Sequence, residues 1–177
     1  MLKRLLVATS LITFSLIQNV HALEQATEVH LQIELPRLQV AEYHKPYVAV
    51  WLENDKRQAT QIEVWYDVAM DNEKGEEWLA DLRQWWRRGG RNLELPVDGV
   101  SGATKGPGRH HVEANLGQMM GSLPPGKYKL RVEVAREVGG RELLDLEIAL
   151  PLDTTLLPLS KEGSREISQI TLTATAD

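Results

Sequence analysis

From Glu28 to Leu35 every second residue is apolar: Val29, Leu31, Ile33 and Leu35 alternate with Glu28, His30, Gln32 and Glu34. A period of two places the apolar set on one face, so the stretch predicts a half-buried strand with His30 on its solvated side. Tyr47 to Glu53 and Gln61 to Asp67 read as a second pair of strands joined by the polar turn Asn54-Asp55-Lys56. Counting by two, Val48, Val50 and Leu52 share one face of the first, and Ile62, Val64 and Tyr66 one face of the second. Trp51 and Trp65 are then expected together on the opposite face, where two large rings need cover.

The period changes between Glu76 and Arg88. Trp78, Leu79, Leu82, Trp85 and Trp86 fall at i, i+1, i+4, i+7 and i+8, the stripe of an amphipathic helix that stops at Gly89-Gly90. Its tryptophans are the expected cover for Trp51 and Trp65. Beyond it, His110 and His111 open a short strand running to about Leu116, and Pro124-Pro125-Gly126 forms a turn. Tyr128 to Val134 and Leu144 to Leu150 make a hairpin around Val138-Gly139-Gly140, Pro151 and Pro158 bracket a Leu-rich connection, and Ile170, Leu172 and Ala174 form a last strand. About seven strands, mostly hairpin-linked, with one inserted amphipathic helix describe an all-β immunoglobulin- or fibronectin-like β-sandwich. A jelly roll or small barrel is the alternative.

Composition narrows the setting. Residues 1–22 have the layout of a signal peptide: Lys3 and Arg4, an apolar run from Leu5 to Ile17, and a small-residue cleavage site at Val20-His21-Ala22. The run is short for a membrane span, so the expectation is export, cleavage and a single periplasmic domain over residues 23–177, an uncleaved anchor being the alternative. Loss of Lys3 and Arg4 leaves 18 basic against 25 acidic residues, a formal charge of −7, which argues against nucleic acid and anionic lipid as main partners. The absence of cysteine excludes disulfides, thiolate catalysis and Cys-ligated zinc or iron–sulfur centres. His110 and His111 are adjacent on a strand and face opposite ways, a poor arrangement for one metal, and no metal site is expected.

One run carries specific chemistry, Asp98-Gly99-Val100-Ser101-Gly102-Ala103-Thr104. Asp-Gly and Ser-Gly are ordinary turn pairs, but average residue frequencies at the five fixed positions make a chance match on the order of one in a thousand chains. Gly99 and Gly102 are expected to let the segment turn, and Gly102 and Ala103 leave little side-chain bulk in front of a modifying enzyme, with Thr104 on an exposed loop. The run resembles the flavin-attachment motif Asp-x-x-(Ser/Thr)-Gly-Ala-(Thr/Ser) of extracytoplasmic flavoproteins. That resemblance implies covalent FMN on the Thr104 hydroxyl, a periplasmic FMN transferase as partner, Ser101, Gly102 and Ala103 as the close approach, and Asp98 as the leading acid.

The surroundings add to it. Arg83 to His111 holds six basic residues (Arg83, Arg87, Arg88, Arg91, Lys105 and Arg109) against Glu94 and Asp98. Such cations favour a phosphate and a reduced anionic flavin, with Lys105 and Arg109 nearest the motif, although a basic helix end is also good dipole chemistry. Trp85 or Trp86, last in the helix, is a candidate to stack on an isoalloxazine ring. The wider pattern of Tyr47 to Leu52, Trp65, Trp78-Leu79, Asp98 to Thr104 and Pro125-Gly126-Lys127-Tyr128 resembles a family of predicted periplasmic proteins associated with PepSY-type membrane proteins and flavin-transfer genes. The expectation is an electron carrier between a membrane donor of PepSY type and an extracytoplasmic acceptor. The alternatives are a cofactor-free accessory module for a membrane partner and a hydrolase. For the last, no Gly-x-Ser-x-Gly or His-Glu-x-x-His is present, and only Ser101 beside His110 or His111 could serve.

Overall fold

The computed structural model describes residues 27–176. The leader expected over residues 1–22 lies outside them. Two sheets face each other with the core between them. The four-stranded sheet has the order β5-β1-β9-β8, from β1 (Thr27–Leu35), β5 (Gly108–His111), β8 (Leu159–Glu162) and β9 (Gln169–Ala176). The five-stranded sheet has the order β4-β3-β2-β6-β7, from β2 (Tyr47–Asn54), β3 (Ala59–Tyr66), β4 (Ser101–Ala103), β6 (Gly126–Ala135) and β7 (Arg141–Leu150). Among the described residues no helix is long and apolar enough to cross a membrane.

The all-β sandwich is as expected, and the long alternating strands lie where the period-two pattern puts them. Leu31 and Ile33 of β1, Val48, Val50 and Leu52 of β2, Leu130 and Val132 of β6, and Ile170 and Leu172 of β9 meet in one buried core. The described residues hold nine strands rather than seven. β4, β5 and β8 are three or four residues long and escape a pattern that needs several alternations to register. The strand expected from His110 ends at His111, and Leu116–Ser122 is instead a short helix. This helix, α2, buries Leu116 and Met120 and is capped by the Asn115 side chain, which accepts the Gln118 N–H at 2.9 Å.

β3 departs from simple alternation. Val50 pairs with Glu63 but Trp51 with Gln61, so Ile62 is an extra residue and β3 is bulged. Ile62 therefore joins Trp65 in the inner core, whereas Val64 and Tyr66 face outward with Ala49 and Trp51. The shared face expected for Ile62, Val64 and Tyr66, and the pairing of Trp51 with Trp65, are both corrected by that one residue.

The outward face is covered as expected, but not by one helix. The connection from β3 to β4 contains 3-10 turns at Asp71–Glu76 and Leu79–Asp81 and a five-residue helix, α1 (Arg83–Arg87). Leu79, Leu82 and Trp85 are buried on Trp51, Val64 and Tyr66, and Trp78 and Trp86 pack at the margin. Glu133, fully buried on β6, fastens this layer. Its carboxylate accepts the N–H groups of Gln84 (2.9 Å) and Trp85 (2.8 Å), which open α1, and the Arg141 guanidinium at 2.7 Å. A carboxylate at the end of α1, which has no side-chain cap of its own, replaces the missing local capping group.

A second carboxylate ties the two sheets together. Glu142 on β7 accepts the backbone N–H groups of Ser164, Arg165, Glu166 and Ile167, at 2.7 to 2.9 Å, from the loop between β8 and β9. Burial pushes its carboxyl up, but these bonds together outweigh burial and hold it below the usual carboxylate range. Glu142→Gln is therefore expected to cost about 2 kcal/mol at neutral pH, the scale of hydrogen bonds to a charged group. The folded pKa is depressed, so this contribution is complete above the unfolded value and fades as pH falls through the folded one. Urea unfolding of the two proteins should differ clearly at pH 7 and converge in acid, and a difference that stays constant with pH would contradict this role.

Candidate functional site

Asp98 to Thr104 runs from a turn into an edge strand. Val97 O accepts the N–H groups of Val100 (3.1 Å) and Ser101 (2.9 Å), and Gly99 takes φ +69° at the third position of the turn, the left-handed conformation that favours glycine there. The Ser101 hydroxyl accepts the Val97 N–H at 2.9 Å and closes the turn from the other side. Ser101, Gly102 and Ala103 then pair in parallel with Val64, Trp65 and Tyr66, and Thr104 donates its N–H to Tyr66 O at 3.1 Å. The segment expected to be a loop is thus fixed to the five-stranded sheet as its outermost strand, with Thr104 at the strand end and half-buried.

Gly102 has a specific reason to lack a side chain. It lies in extended backbone rather than in a turn, and a Cβ there would stand 3.2 Å from Cδ1 of Trp65. Glycine lets β4 approach the Trp65 ring without the ring having to give way. Trp65 is itself held by Glu63, whose Oε1 accepts the indole N–H at 2.6 Å and whose Oε2 accepts the Glu113 N–H at 2.9 Å. The bulge at Ile62 turns Glu63 and Trp65 to this side of the sheet.

Thr104 to Pro107 then crosses from the edge of one sheet to the edge of the other, where β5 begins. Lys105 is drawn over the Trp65 ring, its Nζ 4.3 Å from the ring centroid, and lies 3.7 Å from the Glu113 carboxylate. The His110 ring meets Trp65 edge-on, with centroids 6.0 Å apart, and its Nε2 is 2.7 Å from Gly106 O. The hydroxyl-bearing residue is followed at once by a crossing that an aromatic, an ammonium and an imidazole hold in place.

All seven residues from Asp98 to Thr104, with Lys105, line one open cleft of about 1060 Å³. Its other wall comes from Glu63 and from the segment leading into α2, with Glu113, Ala114, Asn115, Gln118, Met119 and Ser122. A cleft of this size accommodates a drug-sized or cofactor-sized molecule. Thr104 also borders a second recess, of about 460 Å³, that contains Tyr43, Met70 and Trp78. Burial pushes the phenol of Tyr66 up, opposed by the neighbouring Ser101 hydroxyl.

Of the residues read from the sequence, Asp98, Ser101, Gly102, Ala103, Thr104 and Lys105 are brought together at the cleft. Arg109 and Trp86 are not. Arg109 lies on β5 and pairs with Glu34 of β1 at 3.0 Å, and Trp86 packs in the outer layer with its ring 6.2 Å from that of Trp85. The α2 wall and Glu63 were missed. A helix of seven residues carries too short an apolar period to be recognised, and Glu63 reaches the cleft only through an unforeseen bulge. Ser101, the one conceivable nucleophile, is engaged with Val97 and Tyr66 rather than with either histidine.

The glycines of this segment should respond unequally to substitution. Gly102→Val is expected to cost about 1–3 kcal/mol by overpacking against Trp65 and to shift the tryptophan emission. Gly106→Ala, at a site with nothing within 4 Å of an added Cβ, should stay within about 0.5 kcal/mol of wild type. Thermal unfolding and fluorescence of the two variants check this, and equal losses would mean that the approach of β4 to Trp65 is not limiting.

No curated protein and no solved structure matches the chain at a significant level. A family model does match, over residues 28–169, from β1 to the start of β9 and including the whole cleft. The chain belongs to the DUF2271 family of predicted periplasmic proteins.

Proposed function

We propose that this periplasmic protein is a flavoprotein that carries FMN on the Thr104 hydroxyl and relays electrons between a membrane donor and an extracytoplasmic acceptor. One observation carries the reading: the whole run from Asp98 to Thr104 lines a single cofactor-sized cleft, with Thr104 at the end of an edge strand and not enclosed in the core. In the attachment step the Thr104 oxygen forms a bond to the FMN phosphorus of a flavin dinucleotide donor, the phosphorus–oxygen bond to the donor's other nucleotide breaks, and that nucleoside monophosphate leaves with the hydroxyl proton. Intact mass therefore rises by one FMN less a water. When bound, FMN supplies the one- and two-electron chemistry.

The residues present fit such a group. Thr104 offers the hydroxyl at the cleft edge, and the neighbouring Lys105 carries the positive charge suited to a phosphodiester and to a reduced anionic ring. Met119 and Ala114 give the opposite wall an apolar character, and Gln118 and Asn115 bring amide groups to it. The hold of Trp65 and Glu113 on Lys105 keeps that charge at the crossing. The transferase that modifies Thr104 and a PepSY-type membrane protein are the partners this reading requires.

The cofactor-free accessory reading has one observation in its favour. Tyr43, Val68 and Met70 are exposed apolar side chains, and Tyr43 and Met70 share the recess that borders Thr104. Apolar surface of this kind suits a protein partner.

Intact mass after co-expression with a periplasmic FMN transferase separates the two readings. Wild type should gain one FMN less a water and fluoresce in a denaturing gel, and Thr104→Ala should do neither. An unmodified wild-type chain in the presence of active enzyme and its flavin donor would overturn the proposal.

A further inference from the structure

The outer face of the five-stranded sheet is only partly covered by the helical layer. Where α1 ends at Arg87, the uncovered part of β6 and β7 leaves an open cleft of about 870 Å³ that shares no lining residue with the Thr104 cleft. Five cations line it: Arg57 from the β2–β3 turn, Arg88 after α1, and Lys127, Lys129 and Arg131 from β6. Three carboxylates line it as well, Glu53, Asp55 and Glu147, so the cleft carries a net charge of +2 in a chain whose formal charge is −5.

The way these charges are paired leaves donors to spare. Glu53 is buried and uses one oxygen, Oε2, for both Arg88 (2.7 Å) and Arg131 (3.3 Å). Lys129 lies between Asp145 and Glu147. Arg57 and Lys127 have no carboxylate within ion-pair distance among the described residues. Arg131 Nε and Trp51 Nε1 are buried without an acceptor. They belong to residues that face each other across the β2–β6 pair, with the guanidinium carbon 6.0 Å from the Trp51 ring. A buried N–H without an acceptor is costly, and Arg131, the one of the two that lines the cationic cleft, calls for an oxygen ligand there.

We propose that this cleft binds a small molecule through a doubly charged oxyanion, a phosphate or a pair of carboxylates. Arg131 and Arg88 form the inner, partly desolvated end, where planar guanidinium donors match an oxyanion in geometry as well as charge. Arg57 and Lys127 form the outer end, where unpaired cations raise the local anion concentration at an otherwise acidic surface. Glu53 is the positioning residue, holding both inner guanidiniums through one oxygen.

The test uses the full mature chain bearing Thr104→Ala, so that flavin attachment has no bearing on the outcome. The ¹⁵N-labelled protein is titrated at constant ionic strength with inorganic phosphate and, separately, succinate, following the arginine Nε–H signals. The Arg131 and Arg88 signals should shift saturably with a dissociation constant below about 1 mM in at least one titration, and the two arms identify which oxyanion is preferred. The double variant Arg57→Ala/Lys127→Ala, altered only at exposed side chains, should keep its fold and bind about fivefold more weakly or worse. Unsaturable shifts reproduced by sodium chloride, or an affinity unchanged in the double variant, would overturn the proposal.

Discussion

The extra residue in β3 fixes what each face of the five-stranded sheet can do. With Ile62 inserted opposite Val50 and Trp51, two consecutive side chains, Ile62 and Glu63, turn inward, and every residue after them changes sides relative to a plain count. Trp51 goes to the outer face and is roofed by Leu82 and Trp85, whereas Trp65 goes to the inner rim, where Glu63 can reach its indole N–H. Without the bulge both rings would need the same cover and the crossing from β4 to β5 would have nothing to rest on. Gly102 follows from the same shift, because it is the Trp65 ring that a Cβ there would crowd.

Carboxylates joined to backbone amides connect the layers. Glu133 fastens the helical layer to β6, Glu142 fastens the β8–β9 loop to β7, and Glu63 fastens the start of the α2 segment to β3. Glu166, also buried, accepts both Arg136 Nε and Arg136 Nη2 at 3.1 Å and the Gly140 N–H at 2.9 Å, which closes the β6–β7 hairpin onto the opposite sheet. A chain without cysteine thus uses acidic side chains at the points where a secreted domain often uses disulfides. Part of the acidic excess in the composition is therefore internal, and it serves cohesion before it serves the surface.

The sequence is informative where a single interaction dominates. The six long strands were legible for two reasons: β1, β6, β7 and β9 largely keep period-two alternation, whereas β2 and the end of β3 are buried on both faces and read as short apolar runs. The helical layer was legible in its residues but not in its form. Trp78, Leu79, Leu82 and Trp85 are spaced to meet the sheet, but the backbone meets it in 3-10 turns and a single short helix, whose start is capped by Glu133 from a distant strand that no local pattern reveals. The cleft was half legible. Its motif wall is contiguous in the chain, and its other wall, Glu113 to Ser122, comes from a stretch too short to announce a helix. Trp86 and Arg109 show the opposite error, since nearness in sequence and favourable charge placed them beside Thr104 while packing and Glu34 hold them elsewhere.

β4 lies parallel to β3, which obliges residues 67–100 to leave the sheet and return to the same edge. The helical layer is therefore a closed excursion, bracketed by Tyr66 and Ser101, and not a terminal arm. Because both ends are fixed to adjacent strands of one sheet, packing the layer onto that sheet costs less loop-closure entropy than docking a free terminal arm. The outer layer is thus held to the sheet at both of its ends, and the cationic cleft lies at its boundary beside α1.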